Sequence, residues 1–337
     1  MRLCLDSILG DPPTWPHPVK LMGKLIAFLT KFLNQPRFPH TLRKFFGLVI
    51  WLVVVGFSFS AVLMIFWAVS LMTFIPASAV TIIQFIIGAY LCYTCLSMKG
   101  LAVESHKIMK SLRNHNLKQA RHQVGMIVGR DTQNLSADQV CKATIETIAE
   151  NTSDGVIAPL FYLLLGGPAL GIAYKAVNTL DSMIGYKNEK YGDIGMVSAR
   201  IDDVVGFIPA RLTWLFLLAA CALLGYDSKL AYSVGIHDRK NHRSPNSGFS
   251  ESVVAGALKL KLGGPHYYFG ELVTKPYIGT LVQDPEEATV GKIEETIHML
   301  YAAAIIGLLA MASLSIICMH SKGVIKYGRG KIHHNSR

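Results

Sequence analysis

Apolar positions along this chain come in long unbroken runs, not in the short alternations of a soluble sheet protein. No charged residue falls between Phe45 and Phe74 or between Ala79 and Met98, and a third apolar run extends from Ile297 to Met319. Each supplies the roughly 20 residues a helix needs to cross the hydrocarbon core of a bilayer. Two further apolar segments, Val156 to Val177 and Val204 to Gly225, carry interruptions. The pattern predicts an all-α, polytopic helical membrane protein with four to five membrane-embedded segments (45–74, 79–98, 156–177, 204–225 and 297–319) and cytoplasmic helices and loops between them.

The interruptions decide the topology. Gly166-Gly167-Pro168 breaks the first segment near its middle, where proline removes a donor and clashes with the preceding turn. The segment reads either as a crossing or as a re-entrant pair of half-helices, since broken backbone is tolerated at membrane depth where it is buried in protein or lines a cavity. Pro209 and Arg211 stand in the first half of the second segment. The arginine either has a functional partner or snorkels to the headgroups from a helix end. If the loops bearing Glu150, Asp181, Asp203 and Arg243 form one site, both segments must return the chain to the face from which it came. The basic C-terminal tail then lies on the opposite face, against the positive-inside rule.

Between the apolar runs, residues 99–151 carry Leu101, Ile108, Met109 and Leu112 at near-helical spacing. Ser136 to Gln139 has the form of a capping box, which predicts a helix through Cys141, Ile145 and Ile148 ending near Asn151. Asp284-Pro285-Glu286-Glu287 reads as a second helix start that runs on into the last span. With no long linker and no internal repeat, the whole of 1–337 reads as one membrane-embedded domain.

Composition narrows the function classes. Charged residues make up 16% of the 337, against about 25% in soluble domains. The formal charge is nevertheless +11, which fits cytoplasmic loops, an anionic lipid bilayer and an anionic ligand. Nucleic acid is disfavoured because the basic residues are dispersed and no recognition module is visible. The opening residues, interrupted by Asp6, lack the form of a signal peptide. Six scattered cysteines make no disulfide framework, and the Cys92/Cys95 pair inside a span reads as packing.

Four polar stretches stand out against this apolar background. One holds Asp6, Asp11, His17 and Lys20 around prolines; another, ENTSDG, holds Glu150, Asn151 and Asp154. A third carries Asn178, Asp181, Asp193, Asp202 and Asp203, and a fourth, HDRKNHRSPNSGFSES, carries Arg239, Lys240, His242, Arg243 and Asn246. Aspartates so grouped offer the hard oxygen ligands of Mg2+, which binds one or two carboxylates together with substrate phosphates. Arginine forks, lysine and a Ser-Pro-Asn-Ser-Gly turn suit a phosphate. A solvated loop with helix caps would use the same residue types. No P-loop, nucleophile elbow or dinucleotide fingerprint occurs, so any ATP must be held by another arrangement.

The strings GDPPTWPHPVKLMG, ENTSDGVIAPLFY, KAVNTLDSMIGYKNEKYGDIGMVSARIDD and HDRKNHRSPNSGFSESVVAGAL, in this order over nearly the whole chain, resemble the CobD/CbiB family, the adenosylcobinamide-phosphate synthases of cobalamin biosynthesis. Family members usually carry a longer apolar helix before the Gly-Asp-Pro motif than the MRLCLDSIL found here. The resemblance implies ATP-dependent amide synthesis at the bacterial inner membrane: adenosylcobyric acid, through its free propionate, is joined to aminopropanol phosphate. ATP as co-substrate and Mg2+ are the implied cofactors, and other corrinoid-pathway membrane enzymes are possible neighbours. For such chemistry the residues are assigned as follows: Asp181, Asp202 and Asp203 to the metal; Arg239, Lys240, His242, Arg243, Asn246, Asn151 and Asn178 to phosphate or substrate; Glu150 or Asp154 to the general base. A transporter or channel for an anionic small molecule is the alternative of another class, favoured by the broken segments but lacking inverted repeats.

Overall fold

The structure, a computed structural model, describes residues 17–186 and 188–332, with side chains described to residue 315. Asp6 and Asp11 lie outside the described residues. Helix α1 (Pro18–Leu33) starts where the His17 ring accepts a hydrogen bond from the Val19 amide at 3.3 Å, with proline at its first position. Helices α2 (His40–Ser70) and α3 (Ala77–Cys95) follow, apolar on nearly all sides, and after a break at Leu96, where the backbone is extended, comes the more polar α4 (Met98–Arg113). The short α5 (Leu117–Val124) leads to α6 (Ala137–Thr152), whose capping box forms as the sequence predicts: Ser136 accepts from the Gln139 amide and Gln139 accepts from the Ser136 amide.

After α6 the helix widens into a π turn, Ser153–Ile157, and continues as α7 (Ala158–Ile184). Backbone bonding runs from Ala137 to Ile184, long and apolar enough to cross a membrane, yet the chain does not run straight. Gly166 and Gly167 leave helical geometry, with Gly167 at φ +65°, a conformation glycine adopts without steric cost. Beyond them the chain doubles back. Tyr162 and Tyr174 stack with centroids 4.9 Å apart, and the Tyr174 hydroxyl reaches the Asp154 carbonyl at 3.3 Å. On a straight helix those last two residues would be about 30 Å apart. Pro168 at the tip lies beside Gly88, near the middle of α3. The segment is therefore a re-entrant helical hairpin that reaches about half the depth of its neighbour.

The second ambiguous segment is resolved differently. After α8 (Met196–Val205), helix α9 (Phe207–Leu224) is unbroken despite Pro209, which falls in its first turn, where a missing amide is not needed. It ends at Gly225, φ +77°, and α10 (Ser228–Asp238) runs back along it. The Trp214 and Tyr232 rings are 5.8 Å apart, and a Cβ on Gly235 would lie 2.6 Å from the Trp214 Nε1. Residues 239–246 thus return to the level of Arg211. Helix α11 (Ser247–Ala257) then passes through the interior, buried at every position but Phe249. Its small residues allow backbone approach: a Cβ at Gly256 would meet the Ala231 Cα at 2.7 Å.

Four very short strands follow: β1 (Leu262–Gly263) pairs antiparallel with β4 (Tyr277–Ile278), and β2 (His266–Tyr268) pairs with β3 (Glu271–Val273) in a hairpin. Helix α12 (Val290–Ile332) begins six residues beyond the start expected at Asp284. The reason lies in competing hydrogen bonds, because the Glu286 amide donates to the Lys259 carbonyl and the Ala288 amide to Asp138. The helix then runs without a break through the last apolar run, as expected.

Five helical stretches among the described residues are long and apolar enough to cross a membrane: 40–70, 77–113, 137–184, 207–224 and 290–315. The protein is an all-α multi-pass membrane protein. The start of α2 is tied to the loop after α7 by Asp193, 2.7 Å from His40 and 2.9 Å from Arg43. The end of α3 is tied to the π turn by Ser97, bonded to the Gly155 carbonyl. These ties gather the ends of α2, α3 and α7 on one side, and the return of α10 adds the 239–246 loop to it. Single cysteines at the exposed positions Ser182 and Lys240, in a cysteine-free background, should react together with a membrane-impermeant thiol reagent in intact cells or be protected together; reaction at one alone contradicts this arrangement.

Candidate functional site

On that side the polar stretches enclose a basin of about 500 Å³. Helix α6 presents Glu146 and Glu150 to it, four residues apart and so on one face, and the π turn delivers Asp154 just beyond them. The returning arm of α7 adds Asn178 and Asp181, α8 adds Asp202 and Asp203, and the loop before α11 adds His242, Arg243, Ser244 and Asn246. Asn151 lines the wall between Glu150 and Asp154.

Hydrogen bonds hold these elements together. The Ser247 hydroxyl donates to Glu150 at 2.9 Å, and the Asn246 amide group donates to the Asp203 carbonyl at 2.8 Å. Arg211 donates to Asn246 at 2.9 Å while its guanidinium lies over the rings of Phe207 and Phe249 at 3.6 and 4.2 Å. The embedded arginine thus has a partner at the basin wall, which favours the functional over the snorkelling alternative. Ser244 reaches Asp203 at 3.4 Å.

The two ends of the basin differ in charge. At one end stand Asp154, Asp181, Asp202 and Asp203. Burial, then the neighbouring carboxylates Asp154, Asp181 and Asp203, push Asp202 well above the usual carboxylate range, with partial relief from an Asn178 hydrogen bond. Its Oδ1 is buried without a hydrogen-bond partner. At the other end, acids and cations mix. Arg130 and Glu146, each with a side chain only 9% exposed, form an ion pair, and Glu146 also accepts the Gly263 amide at 2.8 Å. The Arg130 guanidinium is 2.6 Å from the His266 Nε2. Burial and that neighbouring charge lower His266 to about 4, so its ring is neutral and Nε2 accepts.

His242 is likewise held below its ordinary value, chiefly by burial, and its Nε2 lies 3.7 Å from Glu251. Glu251 on the buried face of α11 is pushed well above the carboxylate range by burial and then by Glu146 and Glu150. Lys275 enters from the segment after β3 and contacts the Tyr268 hydroxyl at 2.5 Å. The β2–β3 hairpin that positions Tyr268 is clasped by Asp131, which accepts the Phe269 and Gly270 amides at 3.1 and 2.7 Å.

Of the residues singled out in the sequence, Glu150, Asn151, Asp154, Asn178, Asp181, Asp202, Asp203, His242, Arg243 and Asn246 all line this basin. Arg239 and Lys240 do not: the Arg239 guanidinium turns back to the Ile236 carbonyl, and Lys240 is exposed. Sequence reading passed over Arg130, Glu146, Glu251, His266, Tyr268 and Lys275. Glu146 could have been found from its four-residue offset to Glu150, and Glu251 as a lone acid in a run of small residues. No local signal marks Arg130, His266 or Lys275, which only tertiary folding brings in. Among the described residues no three His, Cys, Asp or Glu side chains form a ready-made metal cage.

Comparison with known proteins is consistent along the chain. Residues 1–300 match the family described as CobD/Cbib protein. A Listeria monocytogenes protein named Cobalamin biosynthesis protein CobD is 49% identical over 313 residues, covering 93% of this chain and 96% of the relative. The Streptococcus sanguinis protein of that name is 46% identical over 309 residues, 92% of this chain and 94% of its own. Cobalamin biosynthesis protein CbiB of Salmonella typhimurium is 43% identical over 305 residues, covering 90% and 92%. No solved structure matches.

The Arg130–Glu146 pair yields a stability test. Replacing one partner strands a buried charge, so Arg130→Met or Glu146→Leu alone should destabilise by about 3–5 kcal/mol. The double variant should recover most of that loss. Thermal unfolding of the detergent-solubilised proteins measures it, and additive losses would show that the two side chains do not act as a pair.

Proposed function

The chain belongs to the CobD/CbiB family of cobalamin biosynthesis proteins, and on that premise we propose that it is an ATP-dependent acid–amine ligase of the bacterial inner membrane. In this reading it joins the propionate carboxylate of adenosylcobyric acid to aminopropanol phosphate, giving adenosylcobinamide phosphate. The observation that carries the proposal is the convergence of carboxylates and cations in one basin beside a set of long apolar helices.

A carboxylate and an ammonium form a salt in water, not an amide. The acid must first be activated, here by phosphoryl transfer from ATP to give an acyl phosphate and ADP. The amine nitrogen then attacks the acyl carbon, the new C–N bond forms, the C–O bond to phosphate breaks and inorganic phosphate leaves. For this the ammonium must give up a proton. Glu150, positioned by the Ser247 hydroxyl, is the proposed acceptor, with Asp154 the other carboxylate along the same wall. Arg243 is the proposed phosphate contact, its fork suited to two phosphate oxygens.

The aspartate end fits a divalent cation. Burial and the neighbouring carboxylates raise the proton affinity of Asp202, and its buried, partnerless oxygen is a ligand in want of a cation. Mg2+ needs only one or two protein carboxylates when phosphates supply other ligands, so the lack of a three-residue cage among the described side chains does not count against it. Asp202 with Asp181 or Asp203 would hold the ion. When bound, it supplies positive charge to the transferring phosphate.

Purified protein in detergent, given Mg-ATP, cobyric acid and aminopropanol phosphate, should form the amide, followed by mass. A transporter of anions would form none. Asp202→Asn should lower turnover roughly 10–100-fold and raise the Mg2+ requirement, as loss of a metal-supporting group does elsewhere. Unchanged activity at the ordinary Mg2+ level would remove Asp202 from the metal role.

A further inference from the structure

The mixed-charge end of the basin is not explained by nucleotide binding. Once Arg130 is paired with Glu146, that end retains two carboxyls, Glu150 and Glu251, and two cations, Arg243 and Lys275. Among the described residues, neither cation has a carboxylate within ion-pair distance. Lys275 rests on the Tyr268 hydroxyl and ring, and Arg243 only reaches the Thr274 carbonyl at 3.5 Å. Acids and cations brought to one wall, yet left unpaired with each other, suit a ligand that itself carries both signs. The aspartate end brings Asp154, Asp181, Asp202 and Asp203 together, and this excess of acid disfavours a phosphate that arrives without a bridging cation.

We propose that the mixed end is the subsite for a short amino-alkyl phosphate, its ammonium directed to Glu150 and Glu251 and its phosphate to Lys275 and Arg243. This assignment rests on the ligase reading and deepens it: the amine nitrogen is held at the proposed proton acceptor Glu150, which stands one helical turn from Asp154 of the aspartate end where the acyl phosphate is made. Glu251 is a positioning residue. Burial, then Glu146 and Glu150, raise its proton affinity well above that of an ordinary carboxyl, and its oxygen is placed to accept a hydrogen bond from the ammonium. Lys275 sets specificity, since it separates an amine bearing phosphate from one without. Its place on the segment after the Asp131-clasped hairpin ties that selectivity to a part of the chain distant in sequence from every aspartate of the metal end.

The test is a steady-state comparison of the detergent-solubilised wild type with Lys275→Met, Lys275→Gln and Lys275→Arg. Removing the charge should raise KM for aminopropanol phosphate about tenfold or more, as loss of a charge-assisted phosphate contact does, while KM for Mg-ATP stays within about twofold. With aminopropanol lacking the phosphate, wild type and the uncharged variants should be equally poor. The arginine variant should recover most of the phosphate preference. Equal rises in both KM values, or an unchanged KM for the amine phosphate in an active uncharged variant, would overturn the subsite while leaving the ligase reading in place. Failure of the wild type to form any amide would overturn the ligase reading and this assignment together.

Discussion

The arrangement depends on one reversal of the chain, at Gly166 and Gly167. A left-handed residue followed by proline cannot continue a helix, so the apolar segment that starts beside Asp154 returns at half depth and delivers Asn178 and Asp181 to the wall it left. Tyrosine stacking between the two arms and the Tyr174–Asp154 bond fix the return. Without it, the same residues would span the bilayer and place the aspartates of α7 and α8 on the face opposite Glu150.

The second condition is electrostatic. An apolar protein that gathers this many charges must compensate them, and it does so in two ways. At the mixed end the compensation is partly internal, through the Arg130–Glu146 pair, while among the described residues Glu150, Arg243 and Lys275 stay outside any ion pair. At the aspartate end it is incomplete, and Asp202 carries the strain as a raised proton affinity and a partnerless oxygen. Unrelieved repulsion of this kind costs stability, and a group that persists in such surroundings is a functional candidate. The proposed Mg2+ and the zwitterionic amine meet complementary deficits at the two ends.

Much of this was legible in the sequence because its signals are local. Uncharged runs give the spans, Ser136 and Gln139 give a cap that forms as read, and Gly166-Gly167-Pro168 announces a break whose outcome, crossing or return, the sequence left open. The acids at helix mouths drew attention because charges are few. Three things were not legible. The return of α10 along α9 depends on packing around Trp214 and Gly235, which no periodicity reveals. Helix α12 starts late because the amides of residues 286 and 288 have better partners elsewhere in the chain. Arg239 belongs to the same basic string as Arg243, yet one helical end turns it back onto its own backbone while Arg243 faces the basin. Sequence neighbours share a string without sharing a direction, and the cations that enter from residues 130 and 275 have no neighbours to announce them.

The central claim is that the chain between Asn151 and Ser182 doubles back, so that both residues line one basin. Thirty-one helical residues laid straight would separate them by roughly 46 Å. Spin labels at positions 151 and 182 in protein reconstituted into lipid nanodiscs report that distance directly by pulsed electron–electron resonance. A narrow distribution at well under half the straight-helix value is the predicted result; a distribution centred near the straight-helix length would contradict the re-entrant hairpin and the single basin built on it.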